Sequence, residues 1–315
     1  MNETTVETAV EAAVDGAHFR AGFAALVGRP NVGKSTLLNA LVGEKISIVT
    51  PRPQTTRHRI TGLVNRPGVQ LAFVDTPGLH DGGKRALNRA MNRAAAGALI
   101  DADVVVFVVE ALRWGPEDEA VMQRIRDSGR PAIAVVSKVD TARPRERLLP
   151  FIEALAARHA FRAIVPVSAT RRDNLEPLIS AITAELPESP QLFDEQDRTD
   201  RDLRFRITEI IREKLTLELN QEVPYGIAVE IEKMAEEPMD SGGTRQLIHA
   251  VIWVDREGQK PIVIGARGER LKRVGSSARR DIIALLGQRC HLELWVKVRE
   301  NWADNAQALR SLGLE

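Results

Sequence analysis

Gly28-Arg-Pro-Asn-Val-Gly-Lys-Ser35 decides the reading of this chain. The octapeptide fits Gly-x-x-x-x-Gly-Lys-Ser/Thr, a loop whose backbone N–H groups converge on phosphate oxygens at a helix N-terminus, where the helix dipole favours negative charge. Upstream, Phe23–Val27 is an apolar run that reads as a strand; downstream, Thr36-Leu-Leu-Asn-Ala-Leu-Val42 carries helical spacing. A plain glycine-rich turn needs neither flank, so the three together select a nucleoside triphosphate site. In such a site Lys34 reaches the β- and γ-phosphates and the Ser35 hydroxyl faces Mg²⁺. Gly28, Arg29, Pro30, Asn31, Val32, Gly33 and Thr36 complete the cradle.

Outward from the loop, residues 21–186 alternate strand and helix patterns. Phe23–Val27, Val69–Val74, Val104–Val109, Ala132–Val136 and Ile164–Val167 are near-continuous in Val, Ile, Leu and Ala, as strands buried on both faces should be. Lys84–Ala98, Pro116–Ser128 and Arg145–Ala160 read as helices between them. The alternation predicts an α/β P-loop domain, a doubly wound and mostly parallel sheet with ligand at the carboxyl ends of its strands.

Pro187–Asp202 breaks the pattern with two prolines, six acidic residues and no periodic apolar face, and reads as a linker. Beyond it the grammar changes. Leu203–Leu219 is an amphipathic helix on Ile207, Ile210, Ile211 and Leu215. Ile227–Ile231 and Leu247–Val254 alternate as strands, a helix surrounds Arg270–Leu286, and Leu292–Val298 is a last strand. The order α-β-β-α-α-β predicts a small α+β domain, and that order resembles a type II KH domain. The expected organisation is a tail over 1–19, a phosphate-loop domain over 20–187, a linker over 188–202 and the α+β domain with C-terminal tail over 203–315.

The 315 residues suffice for two such domains, and 43% hydrophobic content supports packed cores. The formal net charge of +1 means that a nucleic-acid or membrane partner must be read from local charge. Cys290 is the single cysteine, so no intrachain disulfide is possible and a reducing cytosol is expected. The longest apolar runs are far short of the ~20 residues that span a bilayer. Met1–Asp15 is acidic, without the basic start and apolar core of a signal peptide.

Four further segments narrow the nucleotide. Asp75-Thr76-Pro77-Gly78 follows a buried strand. Asp75 can hold Mg²⁺ or its water, and the Gly78 N–H can touch the γ-phosphate because no side chain blocks the approach. In Ser137-Lys138-Val139-Asp140, Asp140 accepts two hydrogen bonds from the guanine N1–H and N2–H₂ edge, a donor pair that adenine lacks, and the Lys138 stem covers the base. Ser168 and Ala169 end the last strand, where backbone N–H groups can receive guanine O6. In Gln54-Thr55-Thr56-Arg57-His58 a threonine can complete the Mg²⁺ shell and sense the γ-phosphate; Thr56 is favoured over Thr55. The catalytic candidates are Lys34, Thr56 and Gly78, and the metal candidates Ser35, Thr56 and Asp75.

In the second domain, Gly265-Ala266-Arg267-Gly268 follows Ile262-Val263-Ile264 and opens a helix, a turn that lets a nucleic-acid backbone approach closely. From Arg256 to Arg289 there are nine Lys/Arg and three Asp/Glu, an excess of six positive charges in a chain near neutrality. The RNA candidates are Ile264, Gly265, Ala266, Arg267, Gly268, Arg270, Lys272 and Arg273. His18, His80, His159, His249 and His291 lack metal-ligand spacing, His58 reads as structural or RNA-facing, and Trp253, Trp295 and Trp302 read as packing residues.

The nucleotide motifs resemble the translation-factor type of GTPase, in the branch containing Era, EngA and the tRNA-modifying GTPase MnmE. That branch carries a hydrophobic residue after Asp-Thr-Pro-Gly, here Leu79, so no side chain there orients the attacking water. The resemblance implies slow intrinsic hydrolysis, with Mg²⁺ as cofactor and K⁺ as a second one near Asn31. Relatives carry Asn where this chain has Ser137, a shorter side chain with fewer bonds; guanine specificity is expected to rest on Asp140 while affinity falls. A GTPase domain followed by a KH domain resembles the Era family over about residues 20–315. The matching segments include Gln54-Thr-Thr-Arg-His58, Asp75-Thr-Pro-Gly-Leu-His80, Ile210-Ile-Arg-Glu-Lys-Leu215, Glu257-Gly-Gln-Lys260 and His291-Leu-Glu-Leu-Trp-Val-Lys-Val298. Family resemblance implies GTP and GDP as ligands, binding near the 3′ end of small-subunit ribosomal RNA, a role in maturing that subunit, and loose contact with the inner face of the cell membrane; the chain is read as a monomer. GTP is expected to order the Thr55/Thr56 loop and so alter how the two domains sit. Two other readings stand beside this one: an RNA-binding assembly factor with a hydrolytically idle nucleotide site, and a membrane-associated signalling GTPase.

Overall fold

The computed structural model describes residues 19–52, 55–77, 86–219, 226–240 and 242–314. The first half is built from β1 (Arg20–Val27), α1 (Lys34–Val42), β2 (Ile60–Arg66), β3 (Val69–Asp75), α2 (Ala86–Asp101), β4 (Val104–Glu110), α3 (Pro116–Ser128), β5 (Ala132–Ser137), α4 (Leu148–Ala156), β6 (Ala163–Pro166) and α5 (Leu175–Ala184). Its six strands lie in the order β2-β3-β1-β4-β5-β6, parallel except for β2, which runs antiparallel to β3. Side chains alternate between two cores. Ala24, Leu26, Val106 and Val135 face α1 and α5, while Ala25, Val27, Phe107 and Val136 face α2, α3 and α4. Burial on both faces is why these strands read as unbroken apolar runs.

The strand β2 had no such signature. Gly62 interrupts it for a packing reason: a Cβ there would lie 2.5 Å from Ile46 Cδ1 and 2.7 Å from Leu38 Cδ1. Residues 187–202, expected as a linker, are docked along the β2 edge of the sheet. Leu63 N donates to Arg198 O at 2.9 Å. Gln70 Oε1 accepts from the Leu192 and Phe193 amides, and Asp200 accepts from Thr61 N at 3.0 Å. The docking uses backbone groups, the polar side chains of Thr61, Asn65, Gln70 and Asp200, and one edge-to-face contact of Phe193 with Phe23, so a search for a periodic apolar face misses it.

The second half comprises α6 (Leu203–Glu218), β7 (Ile227–Pro238), β8 (Thr244–Val254), α7 (Lys260–Ile264), α8 (Glu269–Leu286), β9 (Cys290–Val298) and α9 (Ala306–Ser311). This is the expected α-β-β-α-α-β order, followed by a tail helix. The helix α6 starts where the Asp202 carboxylate accepts from Phe205 N at 2.8 Å. The sheet order is β7-β8-β9, antiparallel then parallel, and α6 and α8 cover one face over a core that includes Ile211, Leu215, Ile252 and Val274. Charged residues Glu232, Lys233, Glu236 and Glu237 hid the outer half of β7, which continues past a bulge at Ile231/Lys233.

The halves meet over a fourth apolar cluster in which Leu87 and Met91 of α2 pack with Trp302, Leu309 and Leu314. Polar ties surround it: Glu44 with Arg206, Lys45 with Glu213 at 2.6 Å, and Ala86 N with Asp304 at 3.2 Å. Trp302 is a packing residue, fully buried; Trp295 differs, standing 40% exposed against His249, because odd-numbered positions of β9 face away from the helices. Among the described residues no helix is long and apolar enough to cross a membrane.

Candidate functional site

The strand β1 delivers the chain to Gly28, whose φ of +154° and packing exclude a side chain: a Cβ would stand 2.4 Å from Val108 O. Val32 is buried in the core beneath the loop, and Gly33, at φ +104°, opens α1. The loop is therefore anchored from below while its amides face outward. Lys34 is buried and its ammonium donates to Gly28 O at 2.8 Å and Arg29 O at 2.9 Å. Burial lowers its pKa to about 8, against the pull of Asp75 in the other direction.

The three metal candidates converge. Ser35 Oγ donates to Asp75 Oδ2 at 2.8 Å and lies 3.1 Å from Thr56 Oγ1, which itself reaches Asp75 Oδ2 at 3.3 Å. Ser47, absent from the sequence reading, adds a bond to the same oxygen at 2.9 Å. Asp75 Oδ1 is buried without a partner, and burial raises the carboxyl's pKa. An orphaned carboxylate oxygen beside two hydroxyls is a hard-oxygen donor set that suits Mg²⁺, which keeps much of its own water. Thr55 turns elsewhere, donating to Arg52 O at 2.7 Å and lying 2.6 Å from the Thr50 hydroxyl. A cavity of about 420 Å³ opens over Pro30, Asn31, Gly33, Lys34, Ser35, Thr36, Thr50, Thr56 and Lys138. Thr76 is tied to Leu26 O at 2.9 Å and Pro77 is buried; Gly78 and Leu79 lie outside the described residues.

At the other end, Lys138 (φ +56°) stretches back over the loop, donating to Asn31 O at 2.7 Å and pairing with Glu110 at 3.2 Å. Glu110 also receives Arg29 at 3.1 Å and Arg113 at 3.1 Å. Burial would raise its carboxyl pKa, but Lys138 and the arginines pull it below the usual range. Asp140 accepts from Ser168 Oγ at 2.7 Å, so the two base-reading segments touch, and Ala169 packs behind them. The half-buried Val139 packs on the other core. The Ser137 hydroxyl lies 2.6 Å from Val32 O and 3.0 Å from Val109 O. The short side chain thus still ties strand β5 to the phosphate loop, with one proton shared between two carbonyls.

In the second domain, Gly265 (φ +75°) and Gly268 (φ +78°) frame an exposed turn of Ala266 and Arg267, the latter also at positive φ. Beside it runs an open groove of about 970 Å³ lined by Gly268, Leu271, Lys272, Gly275, Ser276, Arg279, Arg280, Ile283, His291, Leu292 and Leu294. Of the expected RNA residues, Gly268 and Lys272 line the groove. Ile264 packs into the core, Arg270 turns onto Ile262 O at 2.5 Å, and Arg273 pairs with Glu218 at 3.1 Å. Apart from His291, the groove residues that the reading missed follow a helical 3–4 spacing from Gly268 and the inward alternation of β9, a signal present in the sequence.

Residues 23–138 match the family model described as 50S ribosome-binding GTPase, and residues 222–303 match that of the KH domain. The chain is 50% identical over 295 residues to the GTPase Era of Marinobacter nauticus, covering 94% of this chain and 95% of that one. It is 49% identical over 294 residues to the GTPase Era of Stenotrophomonas maltophilia, covering 93% and 97%. Among solved structures it matches Era in complex with MgGDPNP and nucleotides 1506–1542 of 16S ribosomal RNA, with a TM-score of 0.89, 41% identity and coverage of 94% and 99%. An Aquifex aeolicus Era variant bound to GDP·AlF4⁻ matches with a TM-score of 0.89 at 40% identity, again over 94% and 99%. With half its residues identical over nearly the whole length, and with the same two domains in the same order, the chain belongs to the Era family of GTPases.

Proposed function

We propose that this chain is a GTP-hydrolysing switch that binds the 3′ region of small-subunit ribosomal RNA in its KH groove and acts in assembly of that subunit. The carrying observation is the convergence of Ser35, Thr56 and Asp75 at the mouth of the phosphate loop, in one molecule with a bare glycine turn beside a basic groove. Loop amides cradle the β- and γ-phosphates, Lys34 balances their charge, and Asp140 and Lys138 hold guanine. Ser35, Thr56 and Asp75 would hold Mg²⁺, which would supply charge neutralisation on the transferring phosphoryl group. The Leu79 side chain offers no donor or acceptor, so other groups orient the water. Phosphate exposed on the RNA backbone meets the amides and positive helix end at Gly265–Gly268, while bases lie over Leu271, Ile283, Leu292 and Leu294. The structural solution of a relative with both MgGDPNP and a 16S fragment supports this reading.

The domain limits that go with it are 20–187 for the GTPase and 203–315 for the KH domain, with 188–202 between. A finer proposal is K⁺ at Asn31, whose amide nitrogen reaches Pro51 O at 3.1 Å and whose carbonyl oxygen is the candidate ligand; equal turnover in sodium and potassium buffers removes it. Action in the cytoplasm with peripheral contact at the inner membrane face is the finer proposal for location, tested by co-sedimentation with anionic vesicles. The main test is phosphate release from GTP with and without an RNA oligonucleotide of the small-subunit 3′ sequence. GTP turnover together with tight oligonucleotide binding is expected; ATP bound as tightly as GTP, or no RNA binding, overturns it.

A further inference from the structure

Within the Ser35–Thr56–Asp75 group, Thr56 alone lies on neither a strand nor a helix. Both of its flanks are held by the second domain instead. The Thr55 carbonyl accepts from Arg212 Nη2 at 2.6 Å. On the other side, Arg57 Nη1 donates to Ile227 O at 2.6 Å, and the next residue, His58, meets Gly313 O through Nδ1 at 2.9 Å. Arg212 is itself locked. Glu209, one turn earlier on α6, receives its Nε at 2.7 Å and its Nη2 at 2.5 Å, and both residues are buried.

We infer that Arg212 is a positioning residue for GTP hydrolysis, acting from the KH side on the peptide between Thr55 and Thr56. The inference rests on the reading of Thr56 as the group that meets Mg²⁺ and senses the γ-phosphate. Fork-like pairing with Glu209 fixes the plane of the guanidinium, and the remaining Nη2 proton then points at one carbonyl. The Thr55 side chain pins the same residue from the opposite direction through Arg52 O. With φ and ψ of the neighbouring peptide held, the Thr56 hydroxyl stays directed at Asp75. Small misplacements of such groups carry large rate penalties. Lysine at 212 has a single point charge and cannot hold both partners in this geometry. GDP has no γ-phosphate for Thr56 to meet, so Arg212 matters for GTP and not for GDP.

The test uses the full chain in three variants: Arg212→Lys, the paired Glu209→Gln/Arg212→Gln, which removes both members of that ion pair at once, and Thr56→Ala. Melting temperature monitors folding throughout. For both Arg212 variants the expected result is about a tenfold weaker affinity for a non-hydrolysable GTP analogue, the scale of one charge-assisted hydrogen bond. A higher Mg²⁺ concentration for half-maximal hydrolysis accompanies it, and GDP affinity stays within about twofold. Equal weakening of GDP and the analogue marks a purely structural role and overturns the inference. So does unaltered analogue binding in the Arg212 variants when Thr56→Ala weakens it. Unaltered analogue binding in Thr56→Ala overturns the reading of Thr56 itself, and the inference with it.

Discussion

Two glycine turns open two helices in this chain, and they are built to opposite ends. The turn at Gly28–Gly33 is walled: a strand feeds it, Val32 is buried under it, and a Cβ at Gly28 would strike the Val108 carbonyl. The turn at Gly265–Gly268 is packed only at its first glycine, where a Cβ would stand 2.6 Å from Arg270 Cβ, and is bare beyond it. A Cβ at Gly268 meets nothing within 4 Å, and Ala266 and Arg267 are exposed. The same elementary device, amides and a positive helix end, suits a small ligand of fixed stereochemistry when enclosed and a polymer entering from the side when open. Enclosure decides which. It also decides what substitution does at each turn.

The largest effect is expected at the walled turn. Gly28→Ala places a methyl group against backbone that cannot swing aside, at a φ that side chains rarely adopt. About 2–4 kcal/mol of stability should be lost, with guanine-nucleotide affinity falling at least about a hundredfold. Thermal melting and a GDP titration check this; intact GDP binding would break the contrast. At the bare turn, Gly268→Asp has room, and Asp tolerates positive φ better than most residues. It should cost about 1 kcal/mol of stability or less, yet weaken RNA oligonucleotide binding about tenfold or more by setting a carboxylate against phosphate. A large drop in melting temperature would show that the turn is under packing constraint after all.

Enclosure has a titration signature as well. Burial lowers the Lys34 pKa from 10.5 to about 8. Below pH 8 the ammonium is charged in folded and unfolded chains alike, and its burial penalty is fully present; between pH 8 and 10.5 the folded state releases the proton first and the penalty is relieved. Nucleotide binding needs the ammonium. GDP affinity should therefore fall as pH rises through about 8, by up to about tenfold per unit, with a proton taken up on binding. Calorimetry at pH 8.5 in two buffers of different ionisation enthalpy reads that proton directly. The smallest expected effect is Ser137→Ala. It removes the donor shared by the Val32 and Val109 carbonyls and should weaken GDP binding about fivefold, on the scale of 1 kcal/mol per hydrogen bond. An unchanged affinity would mean that Lys138 and Glu110 brace the loop by themselves.

The phosphate loop, the parallel strands and Asp75 were legible because local pattern carries them: glycines at fixed offsets, and apolar runs buried on both faces. Of the two neighbouring threonines, the structure turns Thr56 to Asp75 and Thr55 to Arg52 O. Other features were not legible. Gly62 reads as a strand breaker until Ile46 and Leu38 are seen against it. The 187–202 segment is held by backbone groups and scattered side chains such as Asn65, Gln70 and Asp200 on a distant edge, a set with no periodic pattern in the sequence. Arg270 and Arg273 counted toward a basic footprint, but their partners, Ile262 O and Glu218, turn them from the groove.

By itself, the sequence determined the motifs available to this protein: a glycine-rich phosphate loop, Asp140 after a buried strand, a Gly-x-x-Gly turn at a helix start, and the order of the elements that carry them. Those depend on spacings of a few residues, which a chain specifies locally. Tertiary structure alone decided how the two halves address each other. Arg212 and Thr55 are bonded across 157 positions, and Arg57 reaches Ile227 across 170. Contacts at such separations arise only when whole cores have packed, and any arginine on an amphipathic helix looks the same until the surface it meets is in place.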